Sequence, residues 1–282
     1  MRILVTGANG RFGSGMVRKL AQGVYAATRA DFDFTDFSAT RAFIHDYKPE
    51  IIIHPAAWTD VDGCAREPEK AIQINGFGTQ HIAIASAEIG CAMVYISSNE
   101  VFDGRQGVPY REYDTTQPAN PYGYSKMVGE RALLSLNPKH YIVRTAWLFA
   151  HGGKNFIQAI FSAAEAGKRL RVVTDEVANP TYNDDLVDAV ASLIKTGRYG
   201  IYHFVNSGAC SRYTFARYIL DNSGYPDVPI EPISSREWSR PSHPPTYSSL
   251  ANMAGEMQGI TLRSWQAAVD AFLEAEGLLK RS

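Results

Sequence analysis

The sequence is poor in cysteine, in long apolar runs and in net charge, and each shortage removes a class of protein. Three cysteines, Cys64, Cys91 and Cys210, are scattered, odd in number and without metal-ligand spacing. They suit neither a disulfide framework nor a zinc cluster, and read as free thiols in a reducing cytoplasm. No apolar run approaches the roughly 18 residues that cross a bilayer. Met1 to Gly7 enters a strand pattern at once, leaving no room for a signal peptide. The formal net charge is −1, with no run of like charges, so neither a nucleic-acid footprint nor a charged tail is expected. Internal repeats and low-complexity segments are also lacking. What remains is an ordinary globular composition, 45% hydrophobic and 20% charged. At 282 residues the chain buries roughly three quarters of its unfolded surface.

The first recognisable unit is strand, glycine turn, helix. Ile3-Leu4-Val5 leads into Gly7-Ala8-Asn9-Gly10-Arg11-Phe12-Gly13, and Met16, Val17 and Leu20 follow at helical spacing. Glycines permit a tight turn and close backbone approach, and a helix N-terminus offers free N–H groups to a phosphate. The spacing is G-x-x-G-x-x-G, and the strand before and helix after it supply the context for dinucleotide binding. A second strand, Val24 to Thr28, ends in Thr28-Arg29 where NAD enzymes place an acid on the ribose. Arg29 and Arg11 would accommodate a 2′-phosphate, favouring NADP(H) over NAD(H); otherwise both are simply solvated. Asp33 and Phe34 suit an adenine edge.

Glu50-Ile51-Ile52-Ile53-His54 reads as a parallel strand covered on both faces. Ala56 and Ala57 after it are small enough for a cofactor to lie against the backbone. A long helix is expected from about Pro68 to Ile89, with Asn75 in a polar packing role at its middle. Cys91 to Ile96 is the next strand and ends in Ser97-Ser98-Asn99-Glu100. Ligands bind beyond the carboxyl ends of such strands, so Ser98 is placed to donate a hydrogen bond to a carbonyl. The alternation predicts an α/β fold, a Rossmann-like doubly wound parallel sheet, over residues 1–150. From 151 to 282 the alternation loosens, as in a smaller substrate-binding lobe with segments returning to the first domain.

Pro121-Tyr122-Gly123-Tyr124-Ser125-Lys126 opens a helix. Tyr122 and Lys126 are i and i+4 and share a face; Tyr124 is two residues from the lysine and points elsewhere. A free phenol has a pKa of about 10, and a neighbouring ammonium lowers it. Such a pair passes a proton to a carbonyl oxygen becoming an alkoxide.

Together these pieces resemble the extended short-chain dehydrogenase/reductase superfamily, and within it the dTDP-4-dehydrorhamnose reductase family. The resemblance covers nearly the whole chain. It rests on the glycine loop, Pro55 to Thr59 with Val61-Asp62, Asn75, Val101-Phe102-Asp103-Gly104, Pro121 to Lys126 with Gly129-Glu130, Arg144 to Trp147, Asn155-Phe156, Asn179 to Tyr182 and Gly200 to His203. It implies reduction of a nucleotide-linked 4-keto-6-deoxy sugar, dTDP-4-dehydrorhamnose to dTDP-L-rhamnose. Tyr122 would donate the proton, Lys126 would lower its pKa and hold the nicotinamide ribose, and Ser98 would orient the carbonyl. Trp147 and Asn155, with Asn99 and Glu100, would contact the substrate. Some members are associated with Mg²⁺, although no carboxylate cluster here marks a metal site. A nucleotide sugar and a second copy of the chain are the partners this implies.

The departures lie on the substrate side. Ser98 stands for a threonine, Asn99 for an aspartate and Glu100 for a tyrosine, while Asp175-Glu176 replaces Asp-Gln. Pro244-Pro245 replaces an Arg-Pro pair, so a phosphate-binding arginine is missing unless Arg240 substitutes. Glu100 also fits a nucleotide-sugar 4,6-dehydratase or epimerase, where a glutamate serves as acid/base. A non-catalytic NADP-binding subunit, similar to the regulatory subunit of methionine adenosyltransferase, is the other alternative.

Overall fold

Runs such as Ile3-Leu4-Val5 and Ile51-Ile52-Ile53 are apolar at every position, so they are stable only between two covering layers, and that is where they lie. The computed structural model describes residues 1–153 and 155–280. The first half runs β1 (Ile3–Val5), α1 (Arg11–Leu20), β2 (Val24–Ala26), α2 (Phe37–Tyr47), β3 (Ile51–His54), α3 (Val61–Arg66) and α4 (Pro68–Ala71). A π-helical turn (Ile72–Phe77) joins α4 to α5 (Gly78–Glu88), followed by β4 (Ala92–Ser98), α6 (Pro121–Leu136) and β5 (His140–Thr145). The second half contains β6 (Leu148–Phe149), α7 (Phe156–Glu165), β7 (Leu170–Val173), β8 (Val177–Ala178), β9 (Thr181–Tyr182), α8 (Asn183–Leu193) and β10 (Gly200–His203). It ends with β11 (Cys210–Ser211), α9 (Arg212–Asp221), β12 (Ile230–Ile233), α10 (Met253–Glu256) and α11 (Trp265–Ala275).

Six strands form one parallel sheet in the order β10-β5-β4-β3-β1-β2. Successive residues face opposite layers. Ile3, Val5, Ile53, Val94 and Val143 pack with Met16 of α1 and Leu186 and Val190 of α8. Leu4, Ile52, Met93 and Ile142 pack with Ile44 of α2, Ile82 of α5 and Leu133 of α6. The chain leaves β1 toward β2 on one side and toward β3 on the other, so the crevice between the ends of β1 and β3 is the topological switch point where such sheets bind ligands.

The second half has its own core, in which α7, α9 and α11 pack around the β7–β12 pair through Ile160, Phe161, Leu170, Phe215, Ile219 and Phe272. Within the same half, α8 and β10 rejoin the first sheet.

Three local readings change. The second strand is shorter than Val24 to Thr28, because Thr28 turns to donate to Asp31 through its backbone N–H (2.8 Å) and its hydroxyl (2.9 Å). The helix from Pro68 is not regular: its middle is the π turn that holds Asn75. Within the stretch after 151 where the alternation loosens, Asp175 to Tyr182 carries the short strands β8 and β9.

Candidate active site

The site is built around the first turn of α6. Asn120 caps it, accepting from the Gly123 backbone N–H at 2.9 Å, and Pro121 occupies the first helical position, a placement its fixed φ favours. Tyr122 turns inward and is 9% exposed, whereas Tyr124 is 47% exposed. Ser125 donates to the Tyr122 carbonyl at 2.7 Å and accepts from Asn75 Nδ2 at 2.9 Å. Asn75 also accepts from the Trp58 backbone N–H at 2.7 Å and donates to the Trp58 carbonyl at 3.0 Å. The π turn therefore ties α6 to the loop after β3. Ser98 ends β4, and its hydroxyl accepts from the Glu100 backbone N–H at 3.2 Å.

Lys126 lies one turn beyond Tyr122, buried, with its ammonium 4.0 Å from the centre of the Tyr95 ring. Burial pushes its pKa down to about 7, against the opposing pull of Glu130. The Tyr122 pKa is raised, not lowered as expected beside Lys126. Burial first, and the Glu100 charge second, hold the phenol well above its ordinary value, and the Ser98 hydrogen bond opposes them. The reason is physical: loss of water around a buried phenol disfavours its charged form more than a cation one helical turn away favours it. A phenol held in this way stays protonated near neutrality.

These side chains line one end of a cavity of ≈ 850 Å³. Gly7, Gly10, Arg11, Phe12, Gly13, Arg29, Asp33, Phe34, Ala56 and Ala57 line the other parts, and Ser98, Asn99, Glu100, Tyr122, Lys126 and Trp147 gather together. The glycine end fits a dinucleotide. A Cβ on Gly13 would stand 2.3 Å from the Gly7 carbonyl oxygen, and Gly7 has φ +56°. Gly10 caps α1 with no side chain, which leaves the first-turn N–H groups to an anion. The buried hydroxyls of Ser97 and Thr145 line the same cavity and have no hydrogen-bond partner among the described residues. Arg29 pairs with Asp33 at 3.0 Å. Among the described residues no group of three or more His, Cys, Asp or Glu side chains is placed to hold a metal ion.

Two expected contacts lie elsewhere. Asn9 is exposed and stands outside the cavity lining. Asn155 is engaged in capping α7, accepting from the Gln158 backbone N–H at 3.0 Å and donating to the Ala150 carbonyl at 2.8 Å. Arg240, offered for a missing phosphate-binding cation, pairs with Asp62 at 3.0 Å. Among the described residues of the second half, the cation that reaches the cavity is Arg212, which sequence reasoning missed. Its guanidinium lies 3.6 Å from the Trp147 ring centre and 3.7 Å from Glu176. The one available signal was its place after Ser211, which caps α9. Trp147 itself has φ +42°, a strained conformation of the kind that clusters at ligand sites. Trp58 and Lys70, stacked at 4.7 Å, also line the cavity unforeseen.

A doubly wound sheet, a glycine loop at its switch point and a Ser-Tyr-Lys set at the far end of one cavity define a Rossmann-fold oxidoreductase of the short-chain type. More narrowly, residues 1–277 match the family model described as the RmlD substrate binding domain, and the chain belongs to that family. It is 38% identical over 276 residues to the spore coat polysaccharide biosynthesis protein SpsK of Bacillus subtilis, covering 97% of each. With a dTDP-4-dehydrorhamnose reductase of Mycobacterium tuberculosis it shares 34% over 284 residues, covering 97% of this chain and 93% of that one. The crystal structure of a dTDP-4-dehydrorhamnose reductase from Clostridium acetobutylicum superposes with a TM-score of 0.95 at 35% identity, covering 98% and 100% of the two chains. That of the Bacillus anthracis enzyme, in complex with NADP, gives 0.92 at 33%, covering 97% and 99%. DesIV, a dTDP-glucose 4,6-dehydratase of Streptomyces venezuelae, gives 0.80 at 21% identity with 99% of each chain covered, a likeness of fold alone.

Proposed function

We propose that the protein is an NADPH-dependent reductase of a nucleotide-linked 4-keto-6-deoxy sugar, acting on dTDP-4-dehydrorhamnose to give dTDP-L-rhamnose. The observation that carries this reading is the gathering of Ser98, Tyr122 and Lys126 on the cavity whose other end is the glycine loop. Bound NADPH would supply the hydride. Gly7, the first turn of α1 and Ala56 would hold its diphosphate and adenosine half, and Arg11 and Arg29 its 2′-phosphate. Ser98 hydrogen-bonds the ketone oxygen and fixes its direction. Tyr122 gives its phenolic proton to that oxygen as negative charge develops there, and Lys126 holds the ribose and supplies positive potential. The protein thus contributes position and preorganised electrostatics. Trp147, braced by Arg212, forms the wall against the sugar.

Residues 1–150 bind cofactor and carry the catalytic groups in this proposal, while most of 151–282 binds substrate. A cytoplasmic site of action and a homodimer belong to the same proposal. The three thiols are free and buried, and no helix among the described residues is long and apolar enough to cross a membrane. The test is loss of NADPH absorbance with dTDP-4-dehydrorhamnose and identification of the product sugar. Absence of NADPH oxidation with this and every other 4-keto sugar nucleotide would overturn the reading.

A further inference from the structure

Glu100 is fixed more firmly than a solvated surface acid. Its backbone presses on the catalytic helix: a Cβ on Gly123 would stand 1.9 Å from the Glu100 carbonyl oxygen. Its carboxylate accepts from Asn120 Nδ2 at 2.6 Å through Oε2, and Asn120 is itself the cap of α6. Main chain and side chain are therefore both registered to Tyr122, two residues into that helix. Ser98, whose hydroxyl receives the Glu100 N–H, completes the same short turn.

The carboxylate lines the cavity; burial raises its pKa, and Asn120 and, from farther off, Arg212 and Arg240 oppose the rise. No cation of the described residues comes within ion-pair distance of it: Arg212 pairs with Glu176 and Arg240 with Asp62. Among the described residues Asn120 is the one side-chain donor to it, and Oε1 receives none. Oε1 opens on the cavity, where a ligand hydroxyl can reach it. The position of that donor is restricted. Ser98 and Tyr122 converge on the ketone oxygen, so an acid held beside both reaches the substituents on carbons flanking the ketone.

We propose that Glu100 is the specificity-determining residue of this site, accepting a hydrogen bond from a hydroxyl on a carbon adjacent to the reacting carbonyl and so selecting hydroxylated keto sugars over deoxygenated ones. This rests on the reductase reading and narrows it. The ring hydroxyl donates to Oε1, Asn120 retains Oε2, and no bond is made or broken at Glu100. Arg212, laid on Trp147 and paired with Glu176, keeps that part of the cavity wall in place.

The experiment compares dTDP-4-dehydrorhamnose with its 3-deoxy counterpart as substrates for the wild type, Glu100→Gln and Glu100→Leu. The wild type is expected to favour the hydroxylated ketone in kcat/KM by about 10- to 100-fold, the worth of one hydrogen bond to a charged group. Glu100→Gln is expected to narrow that ratio, and Glu100→Leu to abolish it, through a raised KM for the hydroxylated ketone. NADPH affinity and the unfolding midpoint of each variant report whether the fold survives. If Glu100→Leu is misfolded, the isosteric glutamine variant decides alone. A wild type that reduces both ketones with a ratio the variants leave unmoved overturns the proposal and leaves the reductase standing. A wild type that reduces neither overturns both.

Discussion

At the scale of the residue, Tyr122 and Lys126 show how far a four-residue spacing goes. The spacing distinguishes Tyr122 from Tyr124, and the structure agrees, one buried and the other half-exposed. It says nothing of the electrostatics, because burial depends on Tyr95, Glu130 and Glu100, which come from other parts of the chain. Tyr122→Phe removes the proton donor and leaves the ring, so kcat is expected to fall about 10²- to 10⁴-fold, with the NADPH dissociation constant unchanged. Unchanged turnover would remove Tyr122 from its role. Lys126 adds a pH dependence. Its pKa in the folded protein is about 7 against an ordinary 10.5. Raising the pH through 7 removes the ammonium, so kcat/KM, which reports the free enzyme, is expected to decline there. Stability moves oppositely. Between 7 and 10.5 the unfolded chain binds more protons at this site, so its contribution to stability rises with pH across that window. Activity that stays level up to pH 10.5 would contradict the assignment.

At the scale of the element, the glycine loop was the most legible part of the chain, because strand, turn and helix are contiguous and each glycine has a local reason. Gly13 makes the point sharply. An added Cβ meets the Gly7 carbonyl oxygen at 2.3 Å and the Ala8 Cα at 3.0 Å, backbone atoms that cannot swing aside. Gly13→Ala is expected to destabilise by about 1–3 kcal/mol, as overpacking does, and to weaken NADPH binding more than any loss of stability explains. Denaturant unfolding and fluorescence titration with NADPH check this, and a normal affinity would show that the loop does not hold the cofactor as described. Capping residues were harder to read. Asn120 and Asn155 both precede a helix, and polarity alone does not say whether an asparagine serves its own helix or a ligand. Asn120 was passed over and proves to hold both α6 and Glu100; Asn155 was assigned to substrate and caps α7. The π turn around Asn75 was invisible, since inserting one residue into a helical turn leaves no compositional mark.

At the scale of the whole molecule, the parallel sheet was legible from its apolar runs, but the way distant segments close behind the site was not. Arg144 on β5 is the meeting point. It donates to Glu130 of α6 through Nε at 3.0 Å and Nη2 at 2.7 Å, and to the Glu112 carbonyl at 3.3 Å. The same guanidinium faces His203 of β10 at 3.3 Å and lies 5.1 Å from the Phe102 ring centre. Burial, with Arg144 beside it, holds His203 down at about 3, so this histidine is neutral and the arginine is free to pair with Glu130. Both partners of that pair are almost fully buried, at 3% and 2% side-chain exposure. Removing one charge from such a pair leaves the other unanswered, and the loss is about 3–5 kcal/mol. Arg144→Met is therefore expected to lower stability by about that amount in denaturant unfolding. Adding Glu130→Gln should recover part of it, because the double variant buries no lone carboxylate. Strictly additive losses would show that Arg144 acts through packing on Phe102 rather than through the ion pair. Recovery would mean that Arg144 and Glu130 fix where α6 lies on the sheet, and hence where Tyr122 stands relative to Ser98.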